Sequence, residues 1–436
     1  MVFFGCYITN DSMSKNKYLL PFILICTLFF MWAFLHNING ILIPQLKKVC
    51  HLTDTQSSLP DLALYLAYFT AAIPAGLFAH RFGYKKGIIF GLFLFAAGAL
   101  LFLPAADSRD LPLFLLAIFI AASGAAFLET MANPYATILG KPETSEQRLN
   151  LAQSFNGLGA VVAPFIGTHF ILSGIEHTQA ELDALKAKGQ LEAYLQFEAS
   201  SFKPVYLIIA VLLVLLAILF IRSKLPEVTE TTEDAHSTSK FSLSILRFSH
   251  VRWAAIGEFF YVGAQAGILG FFIRFAKQAA DIPEKEAGNL QTIAMVGFMA
   301  GRFLGTYFMR FVKPARLLTI YAVINICLVA IALMTHGRIA VYTLMLTPFF
   351  MSIMFPTIFA LGIKDLGEET KLASSFLVMA IIGGAFTPVM MGLISDRTGS
   401  MQTAYIMPLI CFLFILYFGI KGYKIKPIKK PQPALA

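Results

Sequence analysis

Twelve apolar runs, each about 18–27 residues long, make up most of this chain, and mostly short polar segments separate them. A helix needs about 20 residues to cross a hydrocarbon layer about 30 Å thick. No water satisfies the backbone inside that layer, so each run must close its hydrogen bonds within itself, as an α-helix does. The runs fall at 19–43, 58–79, 87–104, 112–138, 149–173 and 204–222, then at 252–274, 288–309, 316–334, 340–362, 372–394 and 403–420. A soluble domain carries about a quarter charged residues and about 45–50% apolar ones. This chain has 14% and 57%. The runs therefore predict an all-α integral membrane protein with twelve transmembrane helices.

Two six-helix bundles are expected, 19–222 and 252–420, joined by a cytoplasmic linker at 223–251 that holds Pro226 and a polar run from Glu227 to Lys240. Two other connections are longer than a turn: 45–57 is amphipathic, and 174–203 is polar and helix-prone. The first run is too long for a signal peptide and lacks a small-residue cleavage site, so it reads as a retained helix. Met13 is a second plausible start. With both termini inside, 22 of the 34 Lys and Arg residues fall on cytoplasmic segments and 11 on the opposite side, with Arg302 alone inside a span. That bias follows the positive-inside rule and would reverse if the topology shifted by one helix. It also explains the net charge of +9 without nucleic acid, because a basic stripe needs a soluble face. The five cysteines, Cys6, Cys26, Cys50, Cys327 and Cys411, lack metal-ligand spacing, so neither a metal nor a cofactor is expected.

The halves repeat. Gly76-Leu-Phe-Ala-His-Arg81-Phe-Gly83-Tyr-Lys85-Lys86 follows span two, and Gly305-Thr-Tyr-Phe-Met-Arg310-Phe-Val-Lys313 follows span eight. Spans four and ten are both expected to break at proline, at Asn133-Pro134 and Phe355-Pro356. Each is followed by Leu-Gly, a charged loop and Leu-Ala-x-Ser-Phe, at 151–155 and 372–376. These matches hold at offsets of 221 to 229 residues. Two pseudo-symmetric six-helix halves are a transporter architecture, with the substrate site near the midplane between them.

An ionisable group inside a span costs about 2.5–3.5 kcal/mol on insertion scales, so each one needs a reason. Glu129, in Phe127-Leu-Glu129-Thr-Met-Ala-Asn133-Pro134, is either a proton carrier in a poorly solvated cavity or a protonated, hydrogen-bonded core acid. Glu258, Tyr261 and Gln265 lie at i, i+3 and i+7 on one face of span seven, suited to sugar hydroxyls and ring stacking or to helix–helix hydrogen bonds. His36, Asn37 and Asn39 offer donors and acceptors for a polyol, or form a polar cluster at a helix end that Pro44 terminates. Gln153 and Asn156 share a face of span five as cavity residues or interhelical contacts. Arg302 is expected to pair or snorkel and so fix the cytoplasmic gate. Arg81, Lys85, Lys86 and Arg310 belong to the loop clusters of that gate. Asp61, at the start of span two, reads as interfacial.

From about Leu20 to Leu416 the chain resembles the fucose–galactose–glucose:proton symporter family of the major facilitator superfamily. The resemblance rests on Phe29-Phe-Met-Trp32-Ala, Ile41-Leu-Ile-Pro44-Gln, Pro74-Ala-Gly76 and Glu129-Thr-Met-Ala-Asn133-Pro134. It continues through Arg148-Leu-Asn-Leu-Ala-Gln153-Ser-Phe-Asn156, Arg252-Trp253, Tyr261-Val-Gly-Ala-Gln265 and Pro356-Thr-Ile-Phe-Ala-Leu-Gly-Ile-Lys364. It implies the major facilitator fold, a bacterial inner-membrane location and proton-coupled import of a monosaccharide by a monomer. L-fucose is the first candidate sugar, and glucose or galactose are the alternatives. The family's glutamate at Glu129 is tied to proton coupling and sugar recognition, and its residues at Gln153 and Asn156 line the sugar cavity. Four positions depart from the pattern: Gly40 replaces an acidic residue, Met354-Phe355 replaces Gln-Tyr, Glu258 replaces glutamine, and His80 replaces aspartate. Glu258 then either stands in, in part, for the carboxylate missing at Gly40, or is structural and leaves coupling to Glu129, alone or with His36. A drug exporter would favour a larger apolar cavity over this Asn, Gln and His cluster. An enzyme would need a nucleophile–base pair or ligand cluster that the sequence does not contain.

Overall fold

Prolines, glycines and capping side chains decide where apolar runs of similar composition bend and stop. The computed structural model describes residues 15–50, 59–170, 179–223, 225 and 243–425. The alternative start at Met13 and the polar run 227–240 lie outside the described residues. Two units divide the chain, Met1–Thr231 and Thr232–Ala436. The first contains α1 (Lys15–Val49), α2 (Leu59–Ser108), α3 (Leu111–Ile138), α4 (Ser145–Phe170), α5 (Gln179–Ala187), α6 (Leu191–Ser200) and α7 (Phe202–Arg222). The second contains α8 (Ser249–Ala280), α9 (Glu284–Phe308), α10 (Pro314–Met334), α11 (Arg338–Met351) and α12 (Met354–Gly362). It ends with α13 (Thr370–Met379), α14 (Gly383–Thr398), α15 (Met401–Ala404) and α16 (Ile406–Tyr417).

Eight helical stretches among the described residues are long and apolar enough to cross a membrane, and α1 adds a shorter apolar stretch at Leu19–Phe34. The 50 residues of α2 would span about 75 Å as one rod, far more than one crossing. Gly83 divides them into two arms with φ 82° and ψ 170°, a conformation only glycine takes without strain. Neither α4 nor α9 reaches that apolar threshold. Their polar residues explain why: Glu146, Arg148, Asn150, Gln153 and Asn156 in one, Gln291 and Arg302 in the other.

Three expectations about proline are corrected. Pro44 does not end span one: α1 continues to Val49, with Leu46 and Val49 both buried. Nor does Pro134 break span four, because α3 runs through it to Ile138. A proline removes one backbone donor and bends a helix, but packing on both sides carries the helix through. In span ten the interruption comes before Pro356, between Met351 and Met354. Pro356 then sits in the first turn of α12, where a missing N–H is tolerated.

Within the first unit, α2 and α3 touch backbone to backbone. Gly98 meets Ala121, and a Cβ at Gly124 would come 2.5 Å from the Phe95 amide nitrogen. Small residues at such crossings replace the hydrophobic drive that lipid removes. Both ends of α3 are capped. Asp110 Oδ2 accepts from the Leu113 N–H at 3.3 Å. Past the other end, Arg148 donates to the carbonyls of Ala136 (3.3 Å), Thr137 and Lys141 (2.7 Å) and to Thr144 Oγ1 (2.5 Å). Burial pushes its guanidinium down to about 10, which leaves it charged at neutral pH.

The polar connection 174–203 contains α5 and α6, and ion pairs tie its far end to α2: Arg109 with Glu192, and Asp107 with Lys203. Beside them the Cys50 thiol donates to the Arg109 carbonyl at 3.5 Å. Burial pushes this thiol up to about 11, against the attraction of Arg109. Two units above its ordinary value leaves roughly 100-fold less thiolate. A water-soluble maleimide at pH 7.5 should therefore label Cys50 about 100-fold more slowly in the folded protein than after unfolding. Equal rates would show the thiol to be open.

Candidate functional site

Polar side chains in the first unit gather where α3 passes α1, α2 and α4. Glu129 and Thr130 lie side by side on α3, one turn before Asn133, and the three are 3%, 0% and 0% exposed. Gln153 of α4 donates from Nε2 to Asn133 Oδ1 at 2.9 Å, so these two amides fix each other's orientation. Asn133 Nδ2 and Thr130 Oγ1 have no hydrogen-bond partner among the described residues. A buried donor left in this state costs about 1–3 kcal/mol, a penalty that a ligand oxygen would relieve. Asn156, one turn beyond Gln153, is half-buried. On α1, Asn37 bonds its own helix, Nδ2 to the Ala33 carbonyl at 2.8 Å. The side chains of His36 and Asn39 lie outside the described residues.

Two aromatic residues that the sequence did not single out as site residues complete this cluster. Trp32 Nε1 donates to the Tyr68 hydroxyl oxygen at 3.1 Å, and the Tyr68 hydroxyl hydrogen-bonds Glu129. Trp32 and Tyr68 are both buried. The signal was present: Asp61, Tyr65 and Tyr68 recur at i, i+4 and i+7, a polar edge on one face of an apolar helix.

The second unit builds a separate cluster. Glu258 and Tyr261 are fully buried one turn apart on α8, and Gln265 is half-buried on the same face. Arg302 of α9 and Glu258 both act electrostatically on the Tyr261 hydroxyl. The Tyr261 ring lies 6.1 Å from that of Phe355 on α12. Arg302 itself is 5% exposed, so it does not snorkel. Its Nε donates to the Ser352 carbonyl at 3.1 Å, and its guanidinium sits 4.6 Å over the Phe298 ring. Ser352 is four residues before Pro356, so its carbonyl is the one that proline deprives of a backbone donor. Thr357, the next residue, resumes the ladder with its N–H on Ile353 at 3.1 Å.

The loop cations make different local contacts. Lys85 donates to the carbonyls of Ile221 (3.1 Å) and Ser223 (2.8 Å), capping the C-terminus of α7. Arg81 and Arg310 are exposed and lie over the neighbouring rings of Phe82 and Tyr307 at 5.2 and 5.5 Å. Lys86 is exposed.

Apolar helices around buried, partly unsatisfied polar clusters are the anatomy of a membrane carrier, and the family comparison agrees. Residues 22–381 match the model of the Major Facilitator Superfamily. The chain belongs to that superfamily. This transporter is 40% identical to the L-fucose-proton symporter of Escherichia coli K12 over 94% of its own length and 95% of the relative's. It is 39% identical to a glucose/galactose transporter of Brucella abortus, over 95% and 97%. A crystal structure of a Major Facilitator Superfamily transporter, FucP, in the outward conformation superposes with a TM-score of 0.84 at 41% identity. That match covers 92% of the transporter and 98% of the crystallised chain. The transporter is thus a member of the family that holds the fucose and glucose/galactose carriers, and it is not an enzyme.

Proposed function

We propose that this transporter imports a monosaccharide together with a proton, by alternating access across a bacterial inner membrane with both termini in the cytoplasm. The observation that carries the reading is the Glu129–Thr130–Asn133–Gln153 cluster: a carboxylate one turn from a buried amide that has a donor to spare. Its chemistry suits a hydroxyl-rich solute and offers a lipophilic drug little. The names of the relatives in E. coli and B. abortus point the same way. Glu129 takes and releases the proton, and Glu258 is the second carboxylate of coupling. Asn133, Gln153 and Asn156, with His36, Asn37 and Asn39 on α1 and Tyr261 and Gln265 on α8, read the sugar. Arg81, Lys85, Lys86, Arg302 and Arg310 hold the inward gate.

L-fucose is the first candidate. It is 6-deoxy-L-galactose, with a methyl group in place of the hydroxymethyl group of that hexose, and the Tyr261–Phe355 ring pair favours that methyl by the ordinary preference of apolar surfaces. The test is uptake of labelled L-fucose, D-galactose and D-glucose into cells, with and without a protonophore. L-fucose should accumulate most, and the protonophore should abolish accumulation. Deoxy analogues lacking a contacted hydroxyl should compete more than 10-fold worse, because the site's polar groups are then left unpaired. Stronger competition from lipophilic cations than from any sugar would overturn the reading in favour of drug export.

A further inference from the structure

We propose that Tyr68 is the positioning residue that sets how tightly Glu129 holds its proton, and that Trp32 dictates the direction in which Tyr68 donates. The inference rests on the reading that Glu129 carries the coupled proton. Its basis is the order of donors along the chain Trp32–Tyr68–Glu129. An indole N–H can only donate, so at 3.1 Å it claims the Tyr68 oxygen as an acceptor. A phenol has one proton to give, and the Tyr68 hydroxyl is also bonded to Glu129. With the indole on its oxygen, that proton points at the carboxylate. Tyr68 is thus held as a donor, and Glu129 is held as an acceptor.

A hydrogen bond to the charged form stabilises that form. The relay therefore favours the carboxylate, against the burial that favours the acid. A proton arriving at Glu129 either binds at the oxygen that Tyr68 does not contact or forces the phenol to turn against the indole. Among the described residues two more titratable groups of α2 act along this chain, and the side chain of His36 on α1 lies outside those residues. Tyr65 acts on Tyr68 from the same helix, and Asp61 acts on Tyr65 in turn. Gln153 of α4 bonds Asn133, one turn along α3 from Glu129, and its amide does not titrate over the physiological range. Charged groups of α2 and α4 further along, such as Lys85 and Arg148, are engaged with carbonyls at the helix ends.

The sign follows. Tyr68→Phe removes the donor, the carboxylate loses its stabilisation, and the proton is held more tightly. Trp32→Phe leaves the phenol free to turn and accept from protonated Glu129, so it acts in the same direction. Each should move the alkaline limit of proton-driven uptake up by about one pH unit, the scale of one hydrogen bond to an ionised group. Sugar exchange without a gradient should continue, which shows that the variants are folded.

The chain has two tryptophans, which allows a readout independent of transport. Trp253 packs on Tyr417 at 4.4 Å in the second unit, and Trp253→Phe leaves Trp32 as the single reporter. In that protein, reconstituted in liposomes, Trp32 emission should change in one step with pH. The step should vanish in both Tyr68→Phe and Glu129→Gln. Flat emission across pH, or an unmoved uptake profile in Tyr68→Phe, would overturn the relay while Glu129→Gln still abolishes accumulation. If Glu129→Gln keeps proton-driven accumulation, the reading of Glu129 fails instead, whatever Tyr68→Phe does.

Discussion

Glu129→Gln is expected to abolish accumulation of sugar against a gradient while sugar exchange across the membrane continues. A glutamine keeps the shape and the hydrogen bonds of the side chain but cannot bind and release a proton at physiological pH. One proton moving inward down about 100 mV supplies about 2.3 kcal/mol. At about 1.4 kcal/mol per decade that sustains a sugar gradient of roughly 50-fold. Without a titrating group at this position the attainable ratio falls to one. Exchange survives because Asn133 and Gln153, which orient each other at 2.9 Å, are untouched. The measurement is labelled-sugar uptake and counterflow in liposomes with an imposed proton gradient. Uphill uptake at the wild-type level would remove Glu129 from coupling, and loss of exchange as well would show that its main work is in binding.

The architecture was legible because a membrane imposes length. Any run near 20 apolar residues has to be a helix, and the offsets between the halves expose the repeat without reference to contacts. What the sequence hid depends on which partner a polar group finds. Pro44, Pro134 and Pro356 look alike as letters, yet α1 and α3 pass through theirs and span ten is interrupted ahead of its own. Packing on each side, absent from a local reading, makes that difference. Arg148 appeared only at the head of a motif, whereas two carbonyls in the last turn of α3 and one beyond it turn it into a cap. Lys85 stood out as a gate cation, and its bonds to the end of α7 were not legible because Ile221 and Ser223 lie more than 130 residues away. Glu129 stood out because a charge in a span is costly anywhere along it. Tyr68 did not, because a phenol in an apolar helix costs little and its partner Trp32 lies 36 residues away.

Arg302→Met is expected to destabilise the second unit by about 1–3 kcal/mol, and Pro356→Ala is expected to cancel part of that loss. The two residues meet at one atom. Pro356 has no N–H, so the Ser352 carbonyl receives nothing from the helix ladder, and Arg302 Nε supplies the bond at 3.1 Å instead. Removing the guanidinium orphans a buried carbonyl and also loses the contact over Phe298. Replacing Pro356 with alanine returns a backbone donor four residues after Ser352, so the carbonyl no longer needs the arginine. Thermal melting of the wild type, both single variants and the double variant forms a cycle. The carbonyl term should appear as a coupling of about 1 kcal/mol, within the range measured for hydrogen bonds inside membrane proteins. Arg302→Lys should recover little, since an ammonium at the end of a flexible stem cannot reproduce the planar fork that reaches Ser352 while lying over Phe298. If Arg302→Met costs the same with alanine as with proline at 356, the ring contact and the field on Tyr261 hold the arginine in place and the carbonyl does not.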